Sequence, residues 1–140
     1  EYAYGLLVDK NNNINSVGRF YGSLVVNNNN PQKNITGDGG WDGYWVKYDK
    51  DGNYLASYLI GGTGDTYLFS ICQQGDFYYL SGYFKDLINL DIKGGSFPLI
   101  SKGNEDMFLA KYDLAGNLIW GKQFGGTDSD LLNKVYADES

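Results

Sequence analysis

Asp49, Asp51 and Asn53 place oxygen-bearing side chains at alternate positions, the way a calcium loop begins to wrap a hard cation. The pattern then stops: Leu55 follows, and no glutamate stands where a bidentate ligand would close the loop. The stretch returns as Asp113, Ala115 and Asn117, with one ligand missing. An aspartate ahead of Gly-Asn more simply makes an Asx turn, its carboxylate accepting from backbone N–H groups a few residues on. Ca2+ at Asp49, Asp51 and Asn53 is thus the one cofactor these residues leave open, and otherwise none is expected.

A second constellation is aromatic. Trp41, Tyr44 and Trp45 cluster within five positions and could form a sugar-stacking platform, since aromatic rings pack on the apolar faces of sugars. Packing between sheets is the competing account, because aromatic residues recur at strand positions throughout. Trp41 has the best claim to exposure, since Glu105 occupies the same place in the returning text.

Other chemistries are poorly served. The chain has no histidine, so a nucleophile could be activated only by a lysine-based arrangement. The single cysteine, Cys72, lies in the apolar run Leu68-Phe69-Ser70-Ile71-Cys72 and reads as a buried thiol. Gly61-Gly62-Thr63 lacks the lysine and following helix of a phosphate-binding loop. Paired carboxylates acting as a glycoside hydrolase stay open. No catalytic residue is assigned, and enzymatic activity is the less favoured expectation.

The elements that position these residues are repeated. Lys47 to Thr63 and Lys111 to Thr127 agree at eight of seventeen positions at an offset of 64, and Gly18, Phe20 and Asp42 match Gly82, Phe84 and Asp106. Strands are expected over 2–9, 14–20, 44–49 and 54–60, and again from Thr66 onward, with a third start at 131–138. Gly18 and Gly82, inside strands, imply a bulge or a close backbone approach. The long connection between second and third strands, 21–40, holds four consecutive Asn but should carry a short strand or packed loop, as its counterpart is rich in Leu and Ile. Four antiparallel strands per repeat, joined by a Gly-rich link, are the composition of a β-propeller blade. The expected fold is therefore all-β, with repeats at 1–64 and 65–129 and the first strand of a third at 130–140.

These residues resemble the bacterial SBBP β-propeller repeat family. The likeness rests on Asp106-Met107-Phe108-Leu109-Ala110-Lys111-Tyr112-Asp113 with Gly116-Asn117 and Trp120, then Gly125-Gly126 through Asp130. The first repeat keeps Asp42 and Lys47-Tyr48-Asp49 but has Tyr44 for the Phe and Ala56 for the Trp; the first-strand aspartate appears as Asp9 and Asp138, with Gln73 in the second repeat. The resemblance implies a propeller fold and a bacterial cell-surface or extracellular setting, and it carries over no catalytic residue.

Net charge is −6 and the eleven Lys and Arg are scattered singly, which disfavours nucleic acid as a partner. No apolar run is long enough to span a membrane. The expected role is a structural or interaction module that meets protein or glycan through its loops. A propeller glycoside hydrolase completed by residues outside this chain is the first alternative, and a carbohydrate-binding module centred on Trp41 the second. Two blades and one strand cannot close a ring of about four to eight blades, so further blades of the same polypeptide or further copies are expected partners.

Overall fold

The computed structural model describes residues 1–27, 29–130 and 134–138. The chain is all-β with antiparallel sheets. The first sheet is a meander of β1 (Tyr2–Val8), β2 (Ile14–Leu24), β3 (Ile35–Tyr48) and β4 (Tyr54–Ile60). The second joins β5 (Thr66–Gln74), β6 (Phe77–Phe84), β9 (Asp106–Asp113) and β10 (Leu118–Phe124), and a separate hairpin of β7 (Leu87–Asn89) and β8 (Pro98–Ile100) is inserted between β6 and β9.

Both sheets carry the same irregularity. The β1–β2 register shifts between Ala3 and Gly5, opposite Gly18, and the β5–β6 register shifts between Leu68 and Ser70, opposite Gly82. A Cβ on Gly18 would strike the Tyr2 carbonyl, and one on Gly82 the Tyr67 carbonyl, so both glycines permit close backbone approach beside a bulge. The registers also correct the alignment of the first strands. Val8 pairs with Ile14 and Gln73 with Tyr78, so β1 and β5 correspond one residue further on than the rest and Asp9 aligns with Gln74 rather than Gln73.

The two sheets stack front to back. Val17, Trp45 and Ile60 of the first sheet share one core with Leu68, Tyr78, Leu80, Phe108, Ala110 and Tyr112 of the second, and the insertion wedges Ile88 and Leu90 into it. On the far side of the first sheet, Tyr44 and Val46 (the counterparts of Phe108 and Ala110) pack with Phe20 and Ile35 of the same sheet and with Val26 of its own insertion. Equivalent faces therefore point the same way, and each sheet carries its insertion on that face. Neither a closed barrel nor a closed ring forms among the described residues.

Two expectations are revised. β3 begins at Ile35 rather than Tyr44, because Ser23 and Leu24 pair with Thr36 and Ile35 and continue the ladder through the glycines. Of the expected third start, 131–133 and the final two residues lie outside the described residues. Residues 134–138 form no strand but run beside β5, where Ser70 Oγ donates to the Val135 carbonyl at 3.3 Å.

Candidate functional site: the mouth of the cleft between the sheets

Alternation along β2 places Arg19 and Tyr21 on the same face as Val17, and along β3 it places Trp41 on the same face as Trp45. That face meets the second sheet. Val17 and Trp45 are fully buried in the shared core, whereas Arg19, Tyr21 and Trp41 stand beyond it, at the cleft mouth. The Arg19 guanidinium carbon lies 4.3 Å from the Tyr67 ring centroid, 4.4 Å from Trp41, 4.8 Å from Tyr2 and 5.8 Å from Tyr4. The rings continue as a stack across both sheets: Tyr4 lies 4.7 Å from Phe69, Phe69 5.0 Å from Tyr83 and Tyr83 4.5 Å from Tyr67. Tyr2 and Tyr21 flank Trp41 at 5.7 and 5.9 Å. Tyr2 is 51% exposed and Tyr21 63%.

Two carboxylates border the ring stack: the charge of Glu105 acts on Tyr83, and Asp65 lies beside Trp41 and Tyr67. Asp65 accepts from the Trp41 backbone N–H at 2.9 Å and from the Tyr67 hydroxyl at 3.4 Å. Burial, reinforced by the Asp65 charge, pushes the Tyr67 phenol up to about 12. Arg19 has no ion pair within 4.0 Å and no side-chain hydrogen bond among the described residues; its Nε is buried without a partner.

The expected aromatic cluster divides. Tyr44 faces the opposite way and is buried against Phe20, with its hydroxyl 3.4 Å from Ser16 Oγ. Trp45 is fully buried, donates from Nε1 to Asn15 Oδ1 at 3.0 Å, and has Tyr58, Tyr78 and Tyr112 around its ring. Neither offers a ring face to a ligand, because the facing sheet and the insertion cover them. Trp41 alone of the three reaches the surface. Sequence reasoning missed Arg19, Tyr2, Tyr21 and Tyr67; the signal available was that Arg19 is the sole arginine and alternates with Tyr21.

Asp49, Asp51 and Asn53 form a turn. Asp49 Oδ1 accepts from the backbone N–H of Asp51 at 2.9 Å and of Asn53 at 2.8 Å, and Oδ2 accepts from the Asn53 amide at 2.8 Å. These bonds, that from the Asn53 side chain foremost, hold the Asp49 carboxyl below its ordinary range. Asp113 and Asn117 repeat the network, with the Ala115 N–H in place of that of Asp51, and Asp9 does so with Asn11 and Asn13. The Asp51 carboxylate instead meets Lys50 at 2.7 Å. Among the described residues, no group of three or more His, Cys, Asp or Glu side chains is placed to hold a metal ion.

Two further polar clusters are buried. Tyr78 accepts from Lys47 Nζ at 2.9 Å and donates to Asp9 Oδ2 at 2.5 Å, linking the sheets through the core. Asp42 is fully buried; one oxygen accepts from the Asp38 N–H at 3.2 Å and the other has no partner. Burial, with the charge of Asp38 beside it, pushes the Asp42 carboxyl up to about 7.

No helix among the described residues is long and apolar enough to cross a membrane. Comparison with models of known protein families and with curated proteins returns no match.

Proposed function

We propose that this chain supplies two neighbouring blades of an SBBP-type β-propeller on the outside of a bacterial cell. In that setting it acts as a non-catalytic interaction module. Its contact surface for protein or glycan is the mouth of the cleft around Arg19 and Trp41.

The front-to-back stacking supports the blade reading, since a stack whose equivalent faces point the same way can be continued at both ends by further units. At one end lies a groove lined by Val25, Val26, Tyr48 and Tyr54; at the other, Tyr79, Leu109 and Trp120 stand half-buried beside residues 135–138. Each would receive a further blade, from the same polypeptide or from another copy.

The observation that carries the contact surface is Arg19: an arginine without an ion-pair partner, framed by the rings of Tyr2, Tyr4, Trp41 and Tyr67, of which Tyr2 and Tyr4 are exposed. Tryptophan, tyrosine and arginine are enriched at the energetic centres of interfaces. A photo-crosslinking residue in place of Tyr21, in the full-length protein on its native cell, should yield discrete adducts. The same probe in place of exposed Leu55, remote from the cleft mouth, should not. Equal or absent labelling at both positions would overturn the reading.

A further inference from the structure

We infer that the cleft mouth binds an acidic glycan, with the Arg19 guanidinium on a sugar carboxylate and Tyr2, Tyr21 and Trp41 against the sugar faces. The inference rests on the proposed contact surface and names its ligand class.

The first argument is the unspent charge. A guanidinium presents five N–H donors in a planar fork that matches a carboxylate, and arginine on a folded surface ordinarily finds an acceptor. Arg19 has none among the described residues, although the chain carries a formal charge of −6. Aromatic faces hold the cation in place through their quadrupoles but leave its N–H edges unsatisfied. The side chain is thus positioned and half-buried, with its charge uncompensated by any neighbour among the described residues.

The second argument is that the fold does not ask for these residues. In the matching β6 register Tyr83 stands where β2 has Arg19, and Glu105 stands where β3 has Trp41, yet the second sheet keeps the same pairing and bulge. A packing role common to both sheets would be met by common side chains. Arg19 and Trp41 belong to this cleft alone.

The third argument selects the ligand class. A pyranose offers flat C–H faces to rings and hydroxyls to acceptors, and Asp65, bordering Trp41 and Tyr67, is such an acceptor. A neutral sugar would leave the guanidinium uncompensated. A phosphate dianion would gain from Arg19 but bring its second charge against Asp65. A carboxylated sugar satisfies the cation, the rings and the acceptor together.

The test is calorimetric titration of the full chain, at low ionic strength, with tetrasaccharides of galacturonate, glucuronate-containing units and mannuronate, beside their methyl esters and inorganic phosphate. At least one acid should bind, with its ester at least tenfold weaker. Arg19→Tyr and Trp41→Glu copy residues that the second sheet already accommodates, so both variants should fold; each should weaken binding at least tenfold. Lys93→Ala removes a charge elsewhere and should leave binding unchanged. Equal binding of acid and ester, full binding by Arg19→Tyr, or competition by phosphate at matching concentration would each overturn the assignment. Should no sugar bind while the Tyr21 crosslinks persist, the acidic glycan is wrong and the contact surface stands; loss of both overturns both.

Discussion

Tyr48 and Tyr112 make the same bond in the two sheets: the Tyr48 hydroxyl donates to the Val26 carbonyl and the Tyr112 hydroxyl to the Leu90 carbonyl, each at 2.8 Å. Both carbonyls belong to the insertion between the second and third strands of their sheet. The insertion is therefore pinned to its own sheet in both repeats, by the hydroxyl of the residue just ahead of the Asp-Asn network. The environments differ in one respect. Tyr112 is fully buried under the first sheet, whereas Tyr48 lines the open groove.

That difference sets the first prediction. Tyr112→Phe strands the buried Leu90 carbonyl and should cost about 1–3 kcal/mol in urea unfolding, the usual penalty for an orphaned buried acceptor. Tyr48→Phe should cost clearly less, because water in the groove can replace the lost donor. Equal losses would mean that the groove is closed in solution.

Gly82→Ala drives a methyl group into the Tyr67 carbonyl at the bulge. Backbone cannot step aside as a side-chain tip can, so a loss of about 1–3 kcal/mol is expected, as for other overpacked sites. Gly126→Ala, where an added Cβ meets nothing within 4 Å, serves as the control and should be close to neutral.

The Asp42 carboxyl, raised to about 7, gives a pH signature. Between about pH 4, the ordinary carboxylate range, and pH 7 the folded chain holds a proton that the unfolded chain has released. The resulting stabilisation is fully present below the unfolded value and is lost as pH rises through the folded one. At about 1.4 kcal/mol per pH unit between those two values, the loss by pH 8 should be on the order of 4 kcal/mol. Asp42→Asn should remove this slope, so that the variant is less stable than, or level with, the parent at pH 5 and gains on it by pH 8. Parallel urea midpoints for the two proteins across that range would contradict the account.

Asp49→Ala and Asp113→Ala delete the acceptor of matching turn networks and should lower the midpoint of thermal unfolding by similar amounts. Millimolar calcium should raise the midpoint of neither the parent nor either variant. A calcium-dependent rise in the parent that Asp49→Ala alone abolishes would restore the calcium loop.

What the sequence determined by itself is what local chemistry controls. The Asp-Asn turns close within five residues, so their bonds follow from spacing alone. The strand alternation and the repeat led to two matching four-stranded sheets, and Gly18 and Gly82 announced their bulges, because a missing side chain inside a strand has few other uses. Alternation also assigns each residue to a face of its sheet. It does not say what covers that face. Trp41 and Trp45 share a face and stand four residues apart, yet one reaches solvent and the other is sealed in the core, because the second sheet and its insertion cover only one end. The rings around Arg19 come from β1, β3 and β5, as far away as Tyr67, and only the stacking of the sheets brings them to one cation. Contacts at that separation depend on how two separately folded surfaces meet, and that is decided by the packing of the whole.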